Sequence, residues 1–265
     1  MANSAVACAP PLGGLRLAAS RALVPLASLA ALVLCWEAAA ILAGNERLLP
    51  GPGLVLATAI AETRSGELPY NLGVTLLRVL GSFVLAMSIG TALGILLGRM
   101  RRVDALAHPW LVFFLNLPAL VTIVLCYIWI GLTEAAAVTA VALNKIPNVV
   151  VTIREGSRAI DGGLLEMARV FNAPRWYVLR DVVLPQLHPY LLASARSGLA
   201  LIWKIVLVVE LLGRSNGVGF MIGTYFQLFD VAGILAYALA FIVIVQTIEW
   251  GVLLPVERRL SRWRR

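Results

Sequence analysis

Six long apolar runs constrain this chain more than any other feature of its sequence. Each run has about 20 residues or more, the length of helix that crosses ~30 Å of hydrocarbon. The runs are continuously apolar and lack the alternation of inward and outward residues that a membrane β-barrel strand requires. The sequence therefore predicts an all-α integral membrane protein with about six transmembrane helices, at residues 22–43, 71–98, 108–130, 134–153, 190–212 and 233–255.

The composition excludes a water-soluble globule. Hydrophobic residues make up 60% of the 265 residues and charged residues only 14%, against about 25% charged residues in a typical soluble domain. So few charges cannot cover the surface of a globule of this length. The first apolar run, residues 22–43, is also longer than the roughly 7–15 residues of a secretory signal core, which favours an uncleaved first span.

The basic residues lie mostly on one side of the predicted spans. Two arginines precede the first span, three follow the second, five lie between the fourth and fifth and five follow the sixth. The opposite side receives only Arg47, Arg64 and Arg214. The side richer in arginine and lysine is cytoplasmic, so the net charge of +8 reflects topology and not nucleic acid binding. We predict a cytoplasmic tail at 1–21, a periplasmic segment at 44–70, a cytoplasmic loop at 154–189 and a basic cytoplasmic tail at 256–265.

The sequence predicts no catalytic, cofactor or metal site. The three cysteines have no paired spacing, and the two histidines, His108 and His188, belong to the cytoplasmic ends of spans. Ser215 lies in a G-x-S-x-G pattern, but the hydrocarbon separates it from both histidines, so we interpret the pattern as a coincidence. Neither lysine follows the glycine loop of a P-loop. Any nucleotide-driven work must therefore come from another polypeptide.

Charged residues inside the apolar runs are candidates for function within the membrane. Ionised groups at this depth face the bundle interior, pair with one another or extend to the interface. Arg78, Arg196 and Glu210 lie near the ends of spans, where snorkelling to the interface explains them. Lys145 and Lys204 lie deeper, and two roles stay open for them: contact with an anion in the pathway, or structural pairing.

Glycines and a proline predict how the spans pack. Gly90, Gly94 and Gly98 are spaced four residues apart, so they share one helix face and allow another helix to approach closely. The run from Asn116 to Pro118 predicts an interruption of the third span, either a simple kink or a break that faces a cavity. Only residues 131–133 separate the third span from the fourth.

The segment 166–185, EMARVFNAPRWYVLRDVVLP, is too charged to enter lipid. Its first residues form one face of a short helix that reaches Phe171. Asn172 tolerates left-handed backbone, and Pro174 can start a second helix. The second helix carries an apolar stripe at Trp176, Leu179 and Val183. We predict a helix–turn–helix at the cytoplasmic surface that fits the groove of a soluble partner, with a surface-lying connector as the alternative.

This segment resembles the EAA loop of ABC importer permeases, whose pattern is E-A-A, three residues, G, nine residues and I-x-L-P. Four residues match the pattern: Glu166, Ala168, Leu184 and Pro185. The family's second Ala, its Gly and its Ile are replaced by Met167, Asn172 and Val182. By this resemblance, the residues that couple the chain to an ATPase are Glu166, Met167, Ala168, Arg169, Asn172, Ala173, Pro174, Leu184 and Pro185.

The resemblance covers residues 48–260 and is closest to permeases for nitrate, sulfonate, taurine and bicarbonate uptake. It implies a type I ABC importer fold with its permease domain over 71–255, in a bacterial inner membrane. It also implies a homodimer of permease chains, two ATPase chains that bind ATP and Mg²⁺, and a periplasmic binding protein that delivers a small anionic solute. A secondary carrier driven by an ion gradient is the alternative, and an intramembrane enzyme is a further one. The solute itself is not identified.

Overall fold

The computed structural model describes residues 13–253 and 255, with side chains described over 27–251 and at 255. Within this part every regular element is helical. A π-helical turn, Val178–Val183, joins α8 to α9, and a second, Glu249–Leu253, follows α11. The helices are α1 (Gly13–Ala43), α2 (Pro52–Ser65), α3 (Glu67–Arg99), α4 (Arg101–Asn116), α5 (Ala119–Ile130), α6 (Glu134–Arg158), α7 (Gly162–Val170), α8 (Arg175–Tyr177), α9 (Leu184–Gly213), α10 (Val218–Gln227) and α11 (Val231–Ile248).

The predicted helical membrane fold is confirmed over the described residues. The pair α4 and α5 forms a fifth span if it is counted as one bent unit. The predicted first span, 22–43, lies within α1, where Ala27–Ala43 is a shorter apolar helix, so a crossing by α1 stays a prediction. Four helical segments are long and apolar enough to cross a membrane by themselves: Glu67–Arg99, Glu134–Arg158, Arg175–Gly213 and Val231–Gly251.

The third predicted span, 108–130, is broken and not merely kinked. The axes of α4 and α5 differ by 98°. Pro118 has no backbone N–H and forces the residue before it into extended backbone, which is why Leu117 has φ −70° and ψ 122°. The alternative of a simple kink is therefore wrong. The bend directs α5 against α6 and α9, where Ile123 and Cys126 are buried in the main apolar core.

The contact between α3 and α6 runs along the three predicted packing glycines. A Cβ at Gly90 would lie 2.6 Å from the Val149 Cβ. At Gly94 it would lie 2.7 Å from the Ile153 Cβ, and at Gly98 it would meet Ser157 just as closely. Real Cβ atoms do not approach to such distances, so the two backbones can pack this closely only without side chains at these positions. The partner of this glycine face is thus α6.

The fifth span begins well before its predicted start at residue 190. The structure joins α8, the π-helical turn and α9 into one helical segment, Arg175–Gly213, of 39 residues. At 1.5 Å per residue this segment is roughly 58 Å long. Pro185 lies within this continuous segment, two residues after the π-helical turn, where its missing N–H removes one helical hydrogen bond.

The glycine contact leads to a prediction about stability. Gly94→Ala should lower the thermal unfolding temperature of the purified chain, because overpacking against Ile153 costs about 1–3 kcal/mol. Gly73→Ala is the matched control, since it lies in the same helix and its added Cβ would meet no atom within 4 Å. Equal unfolding temperatures for the two variants would show that the α3–α6 contact does not depend on the glycine face.

Candidate functional site

The segment 162–183, here called the elbow, has the helix–turn–helix form that the sequence predicts. Oδ1 of Asp161 accepts a hydrogen bond from the Gly163 N–H at 2.8 Å and caps the start of α7. Asn172 follows α7 with φ +48°, so its predicted left-handed backbone is confirmed. The next backbone N–H donates to the Ala168 carbonyl at 2.9 Å and closes the turn before α8.

The predicted coupling residues form two groups, and Gln186, beside the second group, contacts the residue that caps α7. Residues 166–174 make up the second half of α7 and the turn, whereas Leu184 and Pro185 begin α9. The Gln186 side-chain oxygen accepts a hydrogen bond from the Asp161 backbone N–H at 2.9 Å. This contact ties Asp161, the residue just before the elbow, to the first turn of α9. Gln186 was missed at the sequence level because it lies one residue beyond the recognised pattern.

The outer surface of the elbow is apolar and uncovered. Five large side chains on it are each more than half exposed, between 54% and 78%. An apolar patch on a charged loop marks a protein–protein contact more often than a lipid contact, because the surrounding arginines hold the loop in water. The exposed residues are Met167, Val170, Phe171, Trp176 and Tyr177.

Beneath the elbow, an ion cluster joins α4 to the end of α6. Asp104 accepts hydrogen bonds from Arg154 at 3.1 Å and from Arg158. Both arginines also contact Glu155, within 3.2 Å. His108, one of the two histidines in the chain, lies 3.4 Å from Arg154 through its Nδ1. The cluster fixes the position of α4 relative to the end of α6.

At the opposite end of the spans, Glu210 is completely buried at the centre of a polar cluster. Its carboxylate accepts hydrogen bonds from Arg78 at 2.7 Å, from Thr75 at 3.0 Å and from the Gly219 backbone N–H at 2.9 Å. Arg78 also makes a two-pronged contact with Glu134, at 2.7 and 2.8 Å. These donors offset the loss of water around the buried carboxylate. The buried cluster therefore connects α3, α6, α9 and α10.

The same cluster holds the loop between α9 and α10. Arg78 donates to the Asn216 carbonyl at 2.8 Å. Asn71 accepts from the Gly217 N–H at 2.7 Å, and the next N–H donates to the Thr75 hydroxyl at 2.9 Å. Gly217 has φ +107°, and an added Cβ would overlap the Glu210 carboxylate. The glycine thus permits the loop to close over the cluster.

These contacts correct two sequence-level interpretations. Arg78 and Glu210 do not snorkel to the interface, since they are 4% and 0% exposed and pair with each other. Their pairing follows a signal that was overlooked: Asn71, Thr75 and Arg78 recur at i, i+4 and i+7 on one face of α3. Arg196, the third residue of that group, lies 4.0 Å from Glu249 on an exposed face.

Ser215 has no histidine within reach, as the sequence indicates. The residue before it, Arg214, contacts Glu134 at the start of α6. His108 contacts Arg154, which lies twenty residues after Glu134 on α6. That separation is about 30 Å along the helix axis. His188 lies near the start of α9, at the other end of that helix from the Ser215 loop. The G-x-S-x-G glycines serve backbone packing.

The two lysines named as pathway candidates have different environments. Lys145 of α6 is 3% exposed, and its ammonium group makes no ion pair or hydrogen bond with any described residue. Its Cε packs on Gly198, where an added Cβ would come within 2.8 Å. Lys204 is exposed. It lies six residues after Gly198 on α9, so its side chain points away from the face that contains Gly198. The structure does not bring the two lysines together.

A polar stripe on α6 was also missed at the sequence level. Asn144, Asn148 and Thr152 recur every fourth residue on the part of the helix that this chain leaves at least partly exposed. Polar side chains at membrane depth face a bundle interior or a water-filled cavity and not lipid. This stripe therefore indicates that another helix or an aqueous pathway lies beside α6, next to Lys145.

Comparisons with known proteins agree on one family. The family model described as binding-protein-dependent transport system inner membrane component matches residues 90–253. The putative aliphatic sulfonates transport permease protein SsuC of Bacillus subtilis is 30% identical over 220 residues, which cover 83% of this chain and 79% of the relative. The riboflavin transport system permease protein RibX of Chloroflexus aurantiacus is 30% identical over 233 residues, covering 88% and 87%.

A solved structure shares the fold. A chain of the inward-facing MetNI methionine ABC transporter aligns with a TM-score of 0.65 at 18% identity, covering 76% of this chain and 99% of that chain. At this identity the likeness concerns the fold alone. It agrees with the arrangement of helices described above.

The buried cluster predicts strong coupling between two residues distant in sequence. Glu210→Leu should destabilise the purified chain by about 3–5 kcal/mol, because it leaves Arg78 buried with a partly exposed partner. The double variant Arg78→Leu/Glu210→Leu should lose less stability than the two single variants lose in sum. Thermal unfolding of the three variants measures this, with Arg64→Leu on exposed α2 as the control. Strict additivity would contradict the pairing.

Proposed function

Because the chain belongs to the family of binding-protein-dependent transport system inner membrane components, we propose that it imports a small anionic solute of the sulfonate, nitrate, taurine or bicarbonate type. The chain is a multi-pass permease subunit of an ATP-driven importer. No comparison supports the alternative of a carrier driven by an ion gradient. Such a permease works with a separate ATPase and with a binding protein.

The proposed assembly contains two copies of this chain, two ATPase chains and one periplasmic binding protein, with both termini of the permease in the cytoplasm. ATP and Mg²⁺ are bound by the ATPase, because this chain has no P-loop lysine. The permease itself carries out no chemistry. The polar stripe on α6 supports a second permease copy, since two such faces can enclose a polar pathway between them.

The exposed apolar surface of the elbow carries the proposal for ATPase coupling. Val170 and Phe171 are 78% and 77% exposed on a loop that the positive charges keep out of lipid. Apolar and aromatic side chains of this kind are the usual anchors of a protein interface. Glu166 and Arg169 lie beside them and are exposed as well, so they supply polar contacts at the rim of the same surface.

The long helix supports transmission of movement from the elbow across the membrane. Arg175–Gly213 is helical from the elbow to the loop that follows α9. Val183 and Leu187, near its elbow end, are fully buried, and Glu210 at its other end is fixed in the buried cluster. A displacement of the elbow by the ATPase therefore acts on Glu210 through one continuous element. The inward and outward openings of the pathway can alternate by this movement.

Lys145 supports an anionic solute over a neutral one. The two relatives compared above are named for aliphatic sulfonates and for riboflavin, and of these solutes only the sulfonates are negatively charged. A buried ammonium group without an acidic partner is costly in the membrane unless a solute anion or water compensates it. Lys145 is such a group. Lys204 is exposed on α9, and its place in the pathway stays a proposal.

Replacing an apolar anchor of the elbow tests the coupling surface. Phe171→Asp should reduce co-purification of the ATPase by about ten-fold or more, since an interface anchor contributes ~1.4 kcal/mol or more. Phe229→Asp is the control, because Phe229 is equally exposed, at 82%, but lies between α10 and α11. If Phe171→Asp retains the ATPase as well as Phe229→Asp does, the elbow is not the ATPase contact.

Replacing Lys145 tests the solute class. Cells that express the transporter should take up radiolabelled ethanesulfonate, and Lys145→Met should raise the apparent KM about ten-fold, because one charge-assisted contact is lost. Lys145→Arg keeps the charge and should retain more of the affinity. ATPase co-purification should be the same in both variants. Uptake of riboflavin in place of ethanesulfonate, or an unchanged KM in Lys145→Met, would contradict the anionic solute.

A further inference from the structure

The elbow covers a large cavity on its inner side. The cavity has a volume of about 1140 Å³ and lies between the elbow and the adjoining ends of α3, α4 and α6. Gly98 and Ser157, which touch each other across the α3–α6 contact, contribute to its lining. From the elbow, Ala168 and Val178 contribute apolar contacts. The space is therefore bounded by the spans on one side and by the elbow on the other.

The charged lining of this cavity is mostly positive. Five arginines and one aspartate line it. Asp104 already accepts hydrogen bonds from Arg158 and from Arg154 of the ion cluster. The other four arginines make no ion pair or side-chain hydrogen bond with any residue that the structure describes. These four are Arg99, Arg101, Arg169 and Arg175.

The cavity is separate from the apolar surface that faces the ATPase. Leu165, Ala168 and Arg169 line the cavity and lie at i, i+3 and i+4, on one face of α7. Val170 and Phe171 do not line it and belong to the exposed outer surface. The lining arginines thus lie behind the outer surface, and Arg169 is also exposed at its rim.

We propose that this cavity binds the oxyanion of a phosphate or sulfonate group, supplied by an anionic lipid headgroup or by a free ion. The guanidinium fork matches such an oxyanion with two parallel hydrogen bonds, and several arginines around one cavity reinforce the attraction. Basic pockets at the cytoplasmic ends of membrane helices are suited to anionic headgroups for the same reason.

The bound anion connects two separate parts of the chain, which the proposed displacement of the elbow by the ATPase would move relative to each other. Arg99 and Arg101 belong to the connection between α3 and α4, whereas Arg169 and Arg175 belong to the elbow. An anion between the two pairs neutralises both and holds the elbow against the spans. Its affinity therefore depends on the position of the elbow. The inference rests on the cavity and its charges and does not require the proposed solute.

Paired double variants of the full chain in nanodiscs test the site. Arg101→Gln/Arg175→Gln removes two lining charges, one from each side of the cavity. Arg102→Gln/Arg180→Gln is the matched control: it removes the same charge from exposed neighbours in the same two segments, and neither residue lines the cavity. In phosphatidylcholine nanodiscs, inorganic phosphate should raise the unfolding temperature of the wild type and of the control, relative to chloride at equal ionic strength. The lining variant should bind phosphate about ten-fold more weakly.

A second arm distinguishes the lipid from the free ion. In nanodiscs that contain phosphatidylglycerol, native mass spectrometry should show bound phosphatidylglycerol on the control and less on the lining variant. Loss of phosphate binding, of lipid binding or of both in the lining variant alone supports the site and identifies the source of the anion. Equal phosphate shifts and equal lipid retention in the two variants overturn it. A lining variant that loses only the ATPase also overturns it, because the arginines would then pair with that protein.

Discussion

The exclusion of water from the hydrocarbon is the constraint on which the rest of this structure depends. It requires each backbone to satisfy its own hydrogen bonds, so the described spans are helical, apart from the break between α4 and α5. It also requires each buried charge to find a partner. Glu210 can be fully buried only because Arg78, Thr75 and the Gly219 N–H surround its carboxylate. In this cluster the buried charges neutralise each other, and their contacts join α3, α6, α9 and α10 at one end of the helix bundle.

Groups that lack such partners indicate what acts on the chain from outside it. Lys145 has no acidic partner among the described residues, and the polar stripe of α6 lies beside it. The elbow exposes apolar side chains on one face and free arginines on the other. We propose that a polar pathway compensates Lys145, that an ATPase covers the apolar face of the elbow and that an anion neutralises the arginines behind it. Paired charges therefore belong to the architecture, and unpaired ones belong to function.

The helical segment Arg175–Gly213 contacts both the paired charges and the unpaired ones. Its first residues form the elbow, its middle packs on Lys145 through Gly198, and Glu210 near its end enters the buried cluster. An element of this length transmits displacement because its backbone hydrogen bonds resist shortening. The π-helical turn, Val178–Val183, is the one irregular part of its interior. Such turns are common at functional positions in helices, and this one lies where the elbow meets the span.

Much of the fold and part of the site follow from local sequence. Apolar length determines that the chain is helical and spans a membrane, since crossing the hydrocarbon needs a fixed number of residues. The left-handed turn at Asn172 and the small face at Gly90, Gly94 and Gly98 are equally local, because they depend on the residue type and its spacing. The EAA-like pattern of the elbow also follows from local sequence.

Other features required the tertiary structure. The pairing of Arg78 with Glu210 joins residues 132 positions apart, and no local rule distinguishes a paired charge from a snorkelling one. The 98° break after Leu117 depends on what α5 packs against, because a proline alone also permits a kink. The cavity behind the elbow exists only when α3, α4, α6 and α7 meet. The sequence by itself determined which segments are apolar enough to form long membrane helices and which are too charged, since those properties depend on local composition. Only the tertiary structure decided which charges are neutralised, because that depends on the neighbours brought together by packing.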